Sequence, residues 1–159
     1  MSSVSETAHR PPTGPEAQRL AERVAAAMFE RDQASRGLGM RILRVGPGHA
    51  ELTMTVRRDM VNGHHICHGG LVFTLADSAF AFACNSYNHS TVANGCTIEF
   101  LAPAHEGDVL TAVAQERAQV GRNGVYDIAV RNQADVTIAL FRGKSTRIKG
   151  HVVQEDPPR

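Results

Sequence analysis

The sequence predicts an α+β domain in which one long helix is buried against a single antiparallel sheet, and three observations carry that expectation. Residues 68–85 form a helical stretch of Leu, Ala, Val and Phe that opens on Gly69-Gly70 and contains one carboxylate, Asp77. A helix with no wide polar face is a buried helix. At about 16 residues it is too short and too polar to span a bilayer, which takes roughly 20 apolar residues. Two strand-like runs precede it and four follow, and the runs after it are separated by turn-type residues that suit antiparallel neighbours.

Taken in order, residues 1–14 are rich in Ser, Thr and Pro and are expected to form a flexible tail. Residues 15–31 read as a helix, with Pro15 at its first turn and Leu20, Val24, Ala27 and Met28 at helical spacing. Gly37 and Gly39 close that region. Residues 40–45 read as a strand that ends at the Gly46-Pro47-Gly48 turn. Residues 51–57 alternate, with Leu52, Met54 and Val56 on one face and Thr53, Thr55 and Arg57 on the other. A polar loop, residues 58–67, feeds the central helix.

Beyond the helix, strands are expected at residues 92–102, 109–120, 125–132 and 136–148, and short connections suggest that these four form a meander. The Asn123-Gly124 pair between two strand patterns is a hairpin signal. Gly143 inside the last strand suggests a bulge or a close approach of another group. One domain is expected over residues 15–150, with a second flexible tail at 151–159.

Composition narrows the function classes. A chain of 159 residues, 42% hydrophobic and 21% charged, is ordinary globular material. A formal net charge of +1 gives no reason to expect nucleic acid or an acidic membrane as partner. Cys67, Cys84 and Cys96 are odd in number and lack a paired spacing, and residues 1–15 contain no apolar leader. The expected location is therefore the cytoplasm.

Asp77 and the glycine pair carry the chemistry. A carboxylate in the middle of an apolar helix is costly unless it is hydrogen-bonded or paired. It is either a capped structural group or a desolvated base or nucleophile. Gly69-Gly70 is either a simple helix start or a place where free N–H groups at a helix N-terminus can hold a developing oxyanion. Seven residues separate Gly70 from Asp77, about 10 Å along a helix axis. If both act on one bond, a second, antiparallel copy of the helix must supply one of them, so the catalytic reading requires a dimer with shared sites.

Other constellations are weaker. Residues 64–68, His-His-Ile-Cys-His, lack the spacing of a metal site, and no metal is expected. No Gly-x-Ser-x-Gly elbow is present. Arg122, Arg142, Lys144 and Arg147 form either a solvated face or a set of phosphate contacts.

Asn62, the run Cys67-His68-Gly69-Gly70 and residues 75–81 resemble the signature of hotdog-fold thioesterases of the phenylacetate-pathway type. The resemblance continues through residues 96–101, 124–128 and 139–145 and spans about residues 17–150. It implies a hotdog fold, with a long central helix wrapped by a sheet of five to six strands, and hydrolysis of aryl- or acyl-coenzyme A thioesters, (hydroxy)phenylacetyl-coenzyme A foremost. It assigns Asp77 as nucleophile or general base and Gly70, with Gly69, as the N–H donor to the thioester carbonyl. Asn62 and His68 would hold the carbonyl or the attacking water.

Arg122 and Lys144, with Asn123 beside them, become contacts for the coenzyme A phosphates. The resemblance further implies a homodimer with shared sites, assembled into a homotetramer, and no cofactor, coenzyme A being part of the substrate. The alternatives are a thioesterase for a hydroxybenzoyl, naphthoyl or medium-chain fatty acyl group, a hydratase, and a non-catalytic acyl-coenzyme A-binding module. A hydratase pairs His with a carboxylate, and the Asn62, Gly-Gly and Asp77 set suits hydrolysis better.

Overall fold

The computed structural model describes residues 13–154. The elements are α1 (Pro15–Arg31), α2 (Gln33–Gly37), β1 (Arg41–Gly46), β2 (His49–Thr55), a single 3-10 turn (Arg58–Met60), α3 (Gly69–Asn85), β3 (His89–Phe100), β4 (Val109–Val120), β5 (Asn123–Arg131) and β6 (Thr137–His151). Pro15 sits in the first turn of α1, with Glu16 near the positive helix end and Arg31 near the negative one. The helix buries Ala21, Val24 and Ala25 against β1 and α3. The short α2 was not expected from the sequence. Asp32 ends α1 and caps α2, its carboxylate accepting from the Ser35 N–H at 2.9 Å.

The six strands form one antiparallel sheet in the order β1-β2-β4-β5-β6-β3. This corrects the expected four-strand meander, because β3 pairs with β6 at the far edge and leaves β4 to pair with β2 and β5. A tight hairpin from β3 to β4 is ruled out by the intervening segment, which passes the N-terminal end of α3. There the Cys67 N–H donates to the buried Ala104 carbonyl at 2.7 Å, and the Val56 N–H reaches the Asp108 carbonyl at 2.8 Å. The β4–β5 turn is also shifted from expectation. Gly121, with φ +56°, and Arg122 make the two-residue connection, and Asn123 and Gly124 already belong to β5. A turn whose first residue needs positive φ selects glycine there.

α3 packs on one face of this sheet and touches all six strands. Val72, Leu75, Ala76, Ala79, Phe80 and Phe82 are each at most 2% exposed. Phe80 lies 5.5 Å from the Tyr126 ring and 6.0 Å from the Phe141 ring, centroid to centroid. Gly143 is the close approach expected from the sequence, since a Cβ there would meet the Phe80 ring at 2.8 Å.

The tail expected from residue 151 begins inside β6. Asn88 anchors the residues that follow, its Oδ1 accepting the Val152 and Val153 N–H groups at 3.1 and 2.8 Å, and Arg31 donates to the Val152 carbonyl. The rest of that tail and residues 1–12 lie outside the described residues. Among the described residues no helix is long and apolar enough to cross a membrane.

Candidate active site

The N-terminal end of α3 is built by its own loop. His68 caps the helix, its Nδ1 accepting the Gly70 N–H at 2.9 Å. That bond fixes an unprotonated Nδ1, so the neutral ring carries its proton on Nε2. The Gly70 N–H, expected to face a substrate carbonyl, is thus already taken by the cap. The Gly69 N–H, first in the helix, has no partner among the described residues.

Asn62 is oriented by the same loop. Its Oδ1 accepts the N–H groups of His64 at 2.9 Å and Ile66 at 3.4 Å, which leaves Nδ2 as a donor without a partner among the described residues. Asn62 and Gly69 line one cavity of about 320 Å³, whose other walls include Ile66, Val72, Phe100 and Ile138. Two unpartnered N–H donors at the rim of an apolar cavity, one of them on a helix N-terminus, form a site for a developing oxyanion. Phe100 covers Gly69 closely, and a Cβ at that glycine would meet the ring at 3.2 Å.

Asp77 lies on the one stripe of α3 that neither the sheet nor α1 buries. Gly70, Thr74, Asp77, Ser78 and Ala81 follow each other at helical spacing, and each retains some exposure. Burial pushes the Asp77 carboxyl above the usual carboxylate range. No hydrogen bond or ion pair among the described residues holds it. Eight residues separate it from Gly69, about 12 Å along the axis, so a single chain does not bring carboxylate and donors onto one bond.

Arg122 and Arg147 sit at the opposite end of the sheet, and Arg142 and Lys144 are exposed in the middle of β6. Thr91 pairs with Arg147 and receives the Asn85 side chain, which places Arg147, Arg122 and Asn123 beside the C-terminal end of α3. Arg122 donates to the Arg147 carbonyl at 3.0 and 2.8 Å, and Arg142 is bound to Asp127 at 2.6 and 2.8 Å. Lys144 is exposed on β6 across from Gly95. Within a single chain these cations lie away from the donor pair, which neighbours Phe100 at the other end of β3. Of the groups named from the sequence, the structure brings together Asn62, His68, Gly69 and Gly70, and leaves Asp77, Arg122, Asn123 and Lys144 elsewhere. Ser78 on the Asp77 stripe, a candidate cap for that carboxylate by sequence, instead bonds Ser35 of α2 at 3.0 Å, a partner 43 positions away that sequence spacing does not announce.

A fold in which one long helix is wrapped by six antiparallel strands, with helix-end donors over an apolar cavity, suits an acyl-group hydrolase. The Thioesterase superfamily model matches residues 64–139. The chain is 53% identical over 131 residues to the acyl-coenzyme A thioesterase PaaI of Escherichia coli K12, covering 82% of this chain and 94% of that protein. The chain belongs to the thioesterase superfamily and is a thioester hydrolase.

The solved structure of the E. coli PaaI protein from the phenylacetic acid degradation operon superposes with a TM-score of 0.84 at 51% identity, covering 85% of this chain and 98% of that one. A mutant of the phenylacetic acid degradation protein PaaI from Thermus thermophilus gives a TM-score of 0.71 at 33% identity, covering 74% and 100%. The architecture expected from the sequence resemblance, the hotdog fold, is the one observed.

Proposed function

We propose that this enzyme hydrolyses aryl- or acyl-coenzyme A thioesters, (hydroxy)phenylacetyl-coenzyme A foremost, to the free acid and coenzyme A in phenylacetate catabolism. The similarity to the E. coli PaaI thioesterase supports the substrate class. The observation that carries the mechanism is the pairing of unpartnered donors at one end of α3 with an unpartnered, desolvated carboxylate in its middle.

The thioester carbonyl is held by the Gly69 N–H and Asn62 Nδ2. Gly70 contributes indirectly, through the cap that fixes His68, and the outward Nε2–H of His68 is placed to meet substrate or water. Asp77 of a second protomer takes a proton from water, whose oxygen adds to the carbonyl carbon. The oxyanion collapses, the C–S bond breaks, and the coenzyme A thiolate leaves and is protonated. Direct attack by the carboxylate would use the same donors. Neither route calls for a metal or an organic cofactor.

A dimer follows from this division of labour. Among the described residues β3 is an edge strand that pairs only with β6, and along its length none of its residues is buried. Antiparallel pairing of two β3 edges would continue the sheet and set the C-terminal end of one α3 beside the N-terminal end of the other. It would also carry Arg122, Asn123 and Lys144 of one protomer toward the donor end of its partner, where nucleotide phosphates need cations. A homotetramer, as a dimer of such dimers, is the assembly the family resemblance implies.

The test is thiol release from phenylacetyl- and hydroxyphenylacetyl-coenzyme A beside acetyl-, hexanoyl- and benzoyl-coenzyme A, for wild type and Asp77→Asn, with oligomeric state measured by sedimentation. Preferential hydrolysis of the phenylacetyl esters, lost in the mutant dimer, is expected. Equal rates in the two proteins would remove Asp77 from the mechanism.

A further inference from the structure

Five of the six phenylalanines of the chain pack against another aromatic ring. Phe29 meets Phe82, Phe73 meets Phe141, and Phe80 lies between Phe141 and Tyr126. Phe100 has no ring partner among the described residues, and it is 53% exposed. It is the last residue of β3, and its pairing with Ala139 puts it on the same face of the sheet as Phe141, the face that carries α3. There it walls the cavity that Asn62 and Gly69 share.

The backbone around Phe100 is held independently of its side chain. The Leu101 and Ala102 N–H groups both reach the Ile138 carbonyl, at 2.9 and 3.3 Å. The ring itself closes over Gly69, where a Cβ would meet two of its atoms at 3.2 and 3.3 Å. The missing side chain at position 69 is therefore what lets an aromatic ring lie beside the open N–H. A carbonyl oxygen accepting from that N–H sits about 3 Å from the nitrogen, so the first atoms of its acyl chain come within reach of the ring. No charged side chain lines the cavity, so an uncharged acyl group enters it without leaving a buried charge unpaired.

We propose that Phe100 is a specificity-determining residue whose ring meets the ring of an arylacetyl group edge-on or offset, so that the site selects aromatic over saturated acyl groups. The proposal rests on the reading of Gly69 as donor to the thioester carbonyl. Aromatic pairs in these arrangements gain more than the apolar area they bury, and a saturated ring of similar size fills the same space without that gain.

The test measures kcat/KM for phenylacetyl- and cyclohexylacetyl-coenzyme A on the same samples of wild type, Phe100→Leu and Phe100→Tyr. The ratio of the two values does not depend on how much of a sample is folded. Phe100→Leu is expected to lower the phenylacetyl-to-cyclohexylacetyl ratio about two- to tenfold. Phe100→Tyr, which keeps a ring, is expected to hold the ratio within about twofold of wild type. A Phe100→Leu ratio equal to that of wild type overturns the proposal, whether both esters slow together or neither does.

Should Phe100→Leu give no active enzyme, Gly69→Ala takes its place. Its methyl group keeps the N–H but displaces the ring, and the same fall in the ratio is expected. Wild type that hydrolyses neither ring ester defeats the substrate class and this proposal together. Wild type that hydrolyses both, with the ratio kept in the variant, defeats the proposal alone.

Discussion

Two carboxylates touched by this core, Glu116 and Asp77, have opposite surroundings. Glu116 on β4 accepts hydrogen bonds from both tyrosines of the chain, Tyr126 at 2.7 Å and Tyr87 at 2.9 Å, and its cluster closes over Gly48, where a Cβ would strike the Tyr87 oxygen at 2.6 Å. Burial, with Glu116 beside them, drives both phenols far above their usual range, so they stay donors at every working pH. Asp77 is half-buried and receives no hydrogen bond among the described residues. A satisfied carboxylate stabilises a fold, whereas an unsatisfied, desolvated one is held at a cost and is available to react.

The largest expected effect is on Asp77 itself. Asp77→Asn should lower kcat by about 10²–10⁴ while sedimentation and secondary structure stay unchanged. The same variant should melt about 1–3 °C higher at pH 7. The sign follows from the raised folded-state pKa: Asp77 favours the fold only when protonated, and that contribution is lost as pH rises through the folded value. Calorimetry showing a lower melting temperature would mean that the carboxylate has a stabilising partner after all, which erases the contrast with Glu116.

Next comes the donor end. Asn62→Ala removes one of two donors and should reduce kcat about 10²–10³ with a smaller change in KM. A pure KM effect in steady-state kinetics would assign Asn62 to binding only. Tyr126→Phe should do the reverse, costing about 1–3 kcal/mol of stability by denaturant titration, with kcat for the folded enzyme within about twofold of wild type. If that variant folds normally and loses activity, Glu116 belongs to the chemistry.

The smallest expected effect concerns pH. The acid limb of kcat should fall as Asp77 takes up its proton, with a midpoint above the ordinary carboxylate value near 4 because burial disfavours the charge. A midpoint at or below the ordinary value would show that substrate or partner supplies the missing donor.

By itself, the sequence determined the central helix, because residues 69–85 are apolar on nearly every side and offer no other way to be buried. It also determined α1, from Pro15 and its periodic apolar positions, and the length of β4, from the turn-type residues on either side of it. Gly69 and Gly70 were legible in the same way, at the helix start, whereas Asn62 and His68 were named as site residues through the family resemblance. Local patterns fix local structure.

The tertiary structure decided what depends on distant partners. It sent β3 to the far side of β6, because the segment after it must pass the end of α3. It handed the Gly70 N–H to His68 and left that of Gly69 open, a choice that the orientation of one imidazole makes. It joined Ser35 to Ser78 and both tyrosines to Glu116 across long stretches of chain. Hydrogen bonds depend on the direction of a donor and an acceptor in space, and only the packed elements supply that direction.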